Sequence, residues 1–306
     1  MKEIPENVTT LNFIYNDLTK LGVEGLKTAL QGIPENITNL GLYNSLCLIE
    51  IKALSTILRG IQKNITTLNL QKNFFYHHGA AGLKTALQNT PETVTALSLS
   101  DNHLSRLKDQ GLKIALQGIP ENITTLDLSR NFLHELGAEG LTTALQGIPE
   151  NVTNLDLSDN ELNKLGLPAL AKVLATIPAH ITFVHLGDNG LFTHKTTKEI
   201  DVFLQLLGEN RHRYHLSDNG ESQLARALAP MALLTQENST TIPNLPALPP
   251  DVAAHILSFL DTTHKPKNKI GFFRQQLEKT IEAVEKSKLS KSAQNTLEPS
   301  NSMSRN

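Results

Sequence analysis

The 306-residue sequence has no tryptophan, one cysteine and only 5% aromatic residues. A single cysteine cannot form an internal disulfide, which excludes a disulfide-stapled scaffold. No apolar run approaches the ~18 residues that a transmembrane helix needs, and the N-terminal MKEIPENVTT lacks the hydrophobic segment of a secretion signal. The composition of 39% hydrophobic and 19% charged residues predicts a soluble protein with an aliphatic core. Because the net charge is −2, we expect no nucleic-acid partner.

What the sequence does contain is one polar residue that returns at near-equal intervals. The series is Asn16, Ser45, Asn73, Asn102, Asn131, Asn160, Asn189 and Asn219, with steps of 28 to 30 residues. So regular a period indicates a repeat solenoid. A buried asparagine at each bend could bond the peptide groups of its own turn and of the next turn.

The residues around each asparagine predict the unit of the repeat. In ITTLDLSRNFL at 123–133, Leu126 and Leu128 alternate as in a strand, so their side chains share one face. Downstream, GLTTALQGIPEN at 140–151 places Leu141, Ala144 and Leu145 on one face of a helix, which the following proline ends. Each unit therefore reads as strand, bend, helix and turn.

The pattern LxxLxLxxNxL with a helix in a period of 28–29 residues resembles the ribonuclease-inhibitor-like class of leucine-rich repeats, over residues 8 to about 234. This resemblance implies an α/β solenoid, a horseshoe with a parallel concave sheet and convex helices, built from about eight repeats in residues 1–234. The eighth repeat is degenerate, because Arg211 stands at an aliphatic position. A terminal, capping repeat is expected to deviate in this way.

The periodicity ends near residue 234, and a proline-rich linker is predicted at 235–247. The segment LPALPPDVAAHILSFLD at 245–261 then resembles the start of an F-box, which implies docking on a Skp1-type adaptor of a cullin ubiquitin ligase. The F-box-like residues are Leu248, Pro249, Val252, Ile256, Leu257 and Leu260. The alternative left open is an amphipathic helix that only caps the solenoid. A helical C-terminal region is expected over 248–290, followed by a disordered tail at 291–306.

The polar tail after a Glu- and Lys-rich helix resembles the translocation signals of type IV secreted effectors from intracellular bacteria. Such effectors also use leucine-rich repeats and F-boxes. The resemblance implies that the protein works in the cytoplasm of a host cell after translocation; otherwise a cytoplasmic location is expected. The repeats would bind a protein partner, either as a substrate adaptor or as a plain binder or inhibitor.

Partner contacts are expected on outward side chains of the sheet, at the positions four, two and one before each asparagine. The predicted concave-face contacts are Tyr15, Tyr43, Lys72, Asp127, Arg130, Asp156, His185 and His215. An aspartate directly before the asparagine is also a favoured turn residue, whereas Asp127 and Asp156 stand mid-strand, so partner contact there remains open. In the loop after Asn73, Phe75 takes the core position, which leaves Phe74 and Tyr76 as predicted exposed anchors.

No catalytic or metal-binding motif is legible, so we expect no enzyme, no cofactor and no metal. Cys47 falls two positions after Ser45, where other repeats place a core leucine, and is interpreted as a small core residue. The histidines lack carboxylates or cysteines at metal-ligand spacing. Asn-X-Thr sequons recur at Asn7, Asn36, Asn64, Asn122 and Asn151. Because they are one repeat position copied, they are interpreted as turn chemistry and not as glycosylation sites.

Overall fold

The structure is a computed structural model, and it describes residues 4–13, 18–47 and 49–220. These residues belong to one compact unit, Met1–Gly220. The predicted end of the repeat domain at 221–234, the linker, the F-box-like segment and the tail lie outside the described residues.

The described strands form one parallel sheet in chain order, in which each strand pairs with the next. Their bounds are β1 Thr10–Asn12, β2 Asn39–Gly41, β3 Thr67–Asn69, β4 Ala96–Ser98, β5 Thr125–Asp127, β6 Asn154–Asp156, β7 Phe183–His185 and β8 Tyr214–His215. The register joins equivalent residues, so that Leu126 of β5 lies beside Leu155 of β6. A parallel pair needs a crossover connection, which the helices supply.

A layer of helices covers the other side of the sheet, one helix after each strand from β1 to β7. Their bounds are α1 Gly22–Gln31, α2 Ile51–Arg59, α3 Gly79–Leu87, α4 Lys108–Leu116, α5 Gly137–Leu145, α6 Leu167–Ala175 and α7 Thr197–Leu207. Short 3-10 helices, such as Leu133–Leu136 before α5, are an addition that the repeat pattern did not predict. The α/β solenoid predicted from the period is confirmed.

The core lies between the sheet and the helices and is filled by the repeated aliphatic positions. Leu126 and Leu128 from the strand side and Leu141 from α5 are fully buried. Phe75, predicted at a core position, is also fully buried. Each repeat buries its apolar side chains against its neighbours, so the core is continuous along the unit.

From Ser45 to Asn219, the polar series forms a buried hydrogen-bond ladder that joins successive repeats. The Nδ2 group of Asn131 donates to the carbonyl oxygens of Leu128 and Ser129 in its own repeat and of Leu99 in the preceding repeat, each at 3.0 Å. Its Oδ1 accepts from the backbone N–H groups of Asn102 and Leu104. The neighbouring turn that each amide bonds is therefore the preceding one, not the next one as predicted.

A second ladder of side-chain donors lies at the turns before the strands. Asn122 donates from Nδ2 to the carbonyl oxygens of Pro91 and Val94 in the repeat before its own. Asn64 likewise donates to the carbonyl oxygens of Pro34 and Ile37 in the repeat before its own. These bonds give Asn64 and Asn122 the structural turn role that was predicted for them, and Asn36 makes the equivalent bonds to Pro5 and Val8. In the last described repeat, buried Arg213 reaches the equivalent carbonyls, Pro178 at 2.6 Å and Ile181 at 2.8 Å. Arg213 thus makes the bonds that Asn64 and Asn122 make in their repeats.

The second repeat is one residue shorter, and this changes the assignment of its core. The backbone N–H groups of Ser45 and Leu46 both donate to Oδ1 of Asn73, whereas elsewhere the second donor stands two positions after the ladder residue. Leu46 is fully buried, while Cys47 is only half-buried, with its Sγ 3.0 Å from Oδ1 of Asn44. The prediction that Cys47 fills the core was therefore wrong, because the missing residue shifts Leu46 into that place.

Thr93 and His180 stand where other repeats have the turn asparagine, and the first of them yields a prediction about stability. Thr93 stands where Asn64 and Asn122 stand in other repeats, and its Oγ1 is buried without a hydrogen-bond partner in the part of the chain that the structure describes. We expect Thr93→Asn to bond the carbonyls of Gln62 and Ile65. The variant should raise the free energy of unfolding by about 1–2 kcal/mol, measured by urea denaturation.

The reverse exchange in the next repeat, Asn122→Thr, is the matched control and should lower the free energy of unfolding by a similar amount. An unchanged or lower stability of Thr93→Asn would contradict the assigned role of this position.

Candidate functional site

The concave face of the sheet is formed by the first and third residues of each strand, because the middle residue points into the core. The third-residue row of β1 to β7 is Asn12, Gly41, Asn69, Ser98, Asp127, Asp156 and His185, and it continues in His215, the second residue of the shorter β8. Asp127 lies directly beside Asp156 in the register, and Asp156 lies beside His185. Four predicted contact residues are thus brought together on four adjacent strands.

Asp127 and Asp156 have a structural role that the sequence interpretation did not include. Oδ1 of Asp127 accepts from the backbone N–H of Ser129 at 2.9 Å, and Oδ1 of Asp156 accepts from that of Ser158 at 2.8 Å. Asn69 makes the same bond two residues downstream. Each side chain caps the end of its strand in an Asx-type turn. The second oxygen of Asp127 accepts from the hydroxyl of Ser98 at 2.6 Å.

The residue two positions before each asparagine was predicted to face outward. In the last five described repeats this prediction was wrong for the four serines at that position. Ser100, Ser129, Ser158 and Ser217 are buried. The hydroxyl of Ser129 donates to that of Ser100 at 2.9 Å. The reason is that the strands end two residues earlier, so side-chain alternation does not extend to this position.

The position directly before the asparagine lies in the left-handed region of the backbone. It is occupied by Asn44, Lys72, Asp101, Arg130, Asp159, Asp188 and Asp218, with φ between 49° and 58°. Asparagine and aspartate tolerate this conformation better than other non-glycine residues, so the turn explanation for these aspartates is well founded. Lys72 and Arg130 show that basic residues also fit there. Arg130 donates from Nε to Oδ2 of Asp159 at 2.8 Å.

At the N-terminal end of the face, the predicted contacts Tyr43 and Lys72 lie close together. The Lys72 ammonium is 6.0 Å from the centre of the Tyr43 ring, a cation–π contact. Both side chains are partly exposed. Tyr15, the third predicted contact at this end, lies outside the described residues.

At the C-terminal end, three rings form a cluster around the predicted contacts His185 and His215. Their ring centres are 5.2 Å apart, and the ring of Phe183 stacks on His215 at 5.8 Å. Nδ1 of His185 lies 3.3 Å from Oδ1 of Asp156. Phe183 is 46% exposed and was missed by the sequence analysis, although it stands at the first strand position, six before the asparagine. That position shares the outward face with the row of Asp156.

The Asp156–His185 pair shifts the protonation of both groups. The hydrogen bond to Asp156 raises the pKa of His185; burial opposes this, and the charges of Asp156, Asp188 and Asp218 add to it. Burial by itself would raise the pKa of Asp156, but its hydrogen bonds with His185 and Ser158 outweigh burial and lower it. The carboxylate therefore stays ionised, and His185 binds its proton more tightly than an ordinary histidine.

Among solved structures, fourteen chains match this protein. One is the crystal structure of the leucine-rich repeat-containing protein LegL7 from Legionella pneumophila, with 30% sequence identity and a TM-score of 0.68. The match covers 76% of this chain and 71% of that one.

This chain belongs to the leucine-rich repeat family.

No family model matches the sequence, and no curated protein matches it. The assignment to the leucine-rich repeats thus depends on the solved neighbour and on the eight-stranded parallel sheet described above.

Beside the concave face, the leucine-rich repeats carry an aromatic row in the loops that follow the strands. Phe74 stacks on His103 at 5.4 Å, and His103 stacks on Phe132 at 5.2 Å. All three have φ of 56°, a conformation that is uncommon for large side chains. Tyr76 lies 5.8 Å from His103. The guanidinium of Arg106 lies 4.6 Å from the centre of the Tyr76 ring, and Arg106 donates to the tyrosine hydroxyl at 2.8 Å.

The two predicted loop anchors, Phe74 and Tyr76, are thus partly exposed members of a larger surface. His103 and Phe132 were missed, although both stand one position after the asparagine, as Phe74 does. That shared position in the leucine-rich repeat frame was the available signal.

Within the described ranges, no group of three His, Cys, Asp or Glu side chains is placed to hold a metal ion. In the same part of the leucine-rich repeat chain, no helix is both long and apolar enough to cross a membrane.

The turn bond of Asp127 leads to a prediction that separates its structural role from its charge. Asp127→Asn keeps an oxygen that can accept from the Ser129 N–H, so its free energy of unfolding should stay within about 0.5 kcal/mol of the original. Asp127→Ala removes the acceptor and should cost about 1 kcal/mol. Urea denaturation measures both, with exposed Glu121→Ala as the control for loss of a carboxylate elsewhere. Equal stabilities of the Asn and Ala variants would contradict the capping role.

Proposed function

We propose that this protein is a non-enzymatic binding module that holds a protein partner on the concave face of its repeats, and that the partner surface opposite repeats six to eight is basic. The face spans eight strands, roughly 34 Å at about 4.8 Å per strand. Such a length suits a protein surface better than a small molecule. The solved relative is named only as a leucine-rich repeat-containing protein, which supports a binding role.

The observation that carries the proposal is a run of three aspartates along the rim of the face, of which Asp159 also pairs with Arg130. Asp159, Asp188 and Asp218 occupy the same position in consecutive repeats. Burial, followed by the carboxylates of Asp218 and Asp159, raises the pKa of Asp188, and His185 and Arg130 offset only part of this. The carboxylates therefore repel one another in the absence of a partner. A cationic surface would relieve the repulsion.

The turn geometry alone does not account for these charges. Asn44 adopts the same left-handed conformation without a charge, and Lys72 and Arg130 adopt it with the opposite charge. The backbone therefore accepts any of these residues, and the negative charge of repeats six to eight is a property of the surface. Tyr43 and Lys72 give the other end of the face a different character, so a partner would be oriented along the solenoid.

A charge-reversal experiment tests the basic partner. The probe is a fluorescein-labelled octalysine peptide, whose dissociation constant is measured by fluorescence anisotropy at an ionic strength of about 0.1 M. Asp188→Lys with Asp218→Lys should weaken binding by about tenfold or more, because the local field changes sign. These substitutions copy Lys72 at the equivalent position, so the fold should tolerate them. They also leave the strand caps at Asp127 and Asp156 intact.

The matched control is Glu121→Lys with Glu150→Lys, which changes the net charge equally on the turns before the strands, where both side chains are exposed. This variant should weaken octalysine binding by no more than about threefold, since exposed charges beyond a Debye length of about 10 Å are screened. An equal loss of affinity in both variants would show that octalysine binding depends only on net charge, which would contradict the proposal.

We further propose that the protein is a bacterial effector that acts in a host cell, where residues 245–261 serve as an F-box-like docking segment for a Skp1-type adaptor. The support is the sequence match at 248–261 and the source of the solved neighbour, Legionella pneumophila. In this scheme the repeats choose the substrate and the C-terminal segment recruits the ligase. A translocation reporter fused to the chain, with and without residues 291–306, tests the delivery step. The alternative is a plain binder or inhibitor whose C-terminal segment only caps the repeats.

A pull-down with purified Skp1 separates these two schemes. The unmutated protein should retain the adaptor, and Leu257→Asp with Leu260→Asp should lose it, because the apolar stripe of the predicted helix would carry two charges. The Glu121→Lys, Glu150→Lys variant should bind as the unmutated protein does. Absence of Skp1 binding by the unmutated protein removes the adaptor function and leaves the plain binder.

A further inference from the structure

His185 lies at the centre of the charged end of the concave face, between two neighbouring strands. On β6, Oδ1 of Asp156 is 3.3 Å from its Nδ1. On β8, the ring of His215 is 5.2 Å away, centre to centre. The charges of the rim residues Asp188 and Asp218 also raise the pKa of His185. Arg130 and Asp159 form an ion pair further along the rim. These are the titratable and charged groups that face His185 from the elements around it.

Space for the imidazole is provided by a local change in the repeat. Gly187 stands where Ser129, Ser158 and Ser217 stand in the neighbouring repeats. A Cβ atom at Gly187 would lie 2.8 Å from Nε2 of His185, closer than van der Waals contact permits. The ring therefore occupies a place that the serine of the other repeats would obstruct.

We propose that the protonation state of His185 is a switch for partner binding on the concave face. When His185 is neutral, the carboxylates of Asp156, Asp188 and Asp218 attract a basic partner. When His185 is protonated, its own positive charge compensates these carboxylates and weakens that attraction. This inference rests on the proposed function, since it concerns the regulation of the same surface. The proton and the partner's cationic side chains compete for one set of carboxylates. By linkage, a partner that binds the neutral form more tightly must also lower the proton affinity of His185.

The pH range follows from the environment of His185. Its hydrogen bond to Asp156 and the surrounding aspartates raise its pKa above the ordinary value of about 6.5, so His185 gains its proton at a higher pH than an ordinary histidine. Asp156 has a lowered pKa and loses its charge only below its ordinary value of about 3.9. Hence the carboxylate remains ionised throughout the range in which His185 titrates.

For His185 itself, the effects of protonation on stability and on binding have opposite signs. Because folding raises the pKa of His185, its contribution to stability is fully present below about pH 6.5 and is lost as the pH rises through the folded value. Protonation of His185 therefore stabilises the fold while it weakens the binding of a cation. The contribution of Asp156 is present above about pH 3.9 and is lost only as the pH falls through its lowered folded value.

The experiment uses the full chain and the octalysine probe at constant ionic strength between pH 5.5 and 8.0. The dissociation constant of the unmutated protein should rise about three- to tenfold from pH 8.0 to 5.5, as expected when binding displaces up to one proton. An NMR titration of the His185 ring should show a pKa above the ordinary value that falls when the peptide binds.

Two variants assign the effect to this residue and to its position. His185→Gln removes the titrating group and should abolish at least half of the pH dependence. Gly187→Ser keeps the histidine but displaces its ring, and should reduce the pH dependence similarly. The matched control His103→Gln changes a histidine in the aromatic row and should retain the full pH dependence.

The possible failures are distinguishable. If octalysine does not bind at any pH, the proposed basic partner is wrong and the switch fails with it. If octalysine binds but His185→Gln keeps the full pH dependence, or if the pKa of His185 does not move on binding, the switch alone is overturned.

Discussion

The buried amide of the asparagine ladder is the interaction on which the rest of this structure depends. Each strand is only two or three residues long, so ladder bonds between strands cannot by themselves satisfy the peptide groups where the chain turns. The amide of Asn131 satisfies five such groups, drawn from its own repeat and the preceding one. An unsatisfied buried peptide group costs about 1–3 kcal/mol, so substitution of one asparagine would disturb two repeats at once.

This tight bend also determines where recognition can occur. Because the chain turns immediately after each strand, two kinds of position remain accessible: the outward strand residues and the left-handed residues beside the asparagine. Asp156 belongs to the first kind and Asp188 to the second. Each must also satisfy the backbone, by capping a strand end or by adopting a positive φ. Structural and functional explanations of these aspartates are therefore compatible.

The period alone was sufficient to predict the strands, the helices and the aliphatic core, because each position of the repeat is seen several times. A wrong assignment in one repeat would disagree with the equivalent residues of the other repeats. Leu126 and Leu141 are correct for this reason. Cys47 was misplaced because a deletion can be aligned in two ways, and only the hydrogen bonds of Ser45 and Leu46 show which residue is missing. Ser129 was misplaced because alternation was extended beyond the end of a strand. Spatial clusters such as Phe183 with His215 combine residues from different repeats, and one-dimensional spacing carries no distances.

The rim position beside the asparagine has a consequence for how this surface could diversify. The fold constrains its backbone conformation, which asparagine and aspartate tolerate best, but lysine and arginine also occur there. A single substitution can therefore rewrite the charge of one repeat without altering its neighbours. Duplication of one 29-residue unit, the commonest step of the series, would instead move the whole downstream pattern by about 4.8 Å. Binding specificity in this protein can thus evolve in two ways on an unchanged scaffold. A substitution changes the charge of one repeat, and a duplication shifts the charge pattern along the sheet.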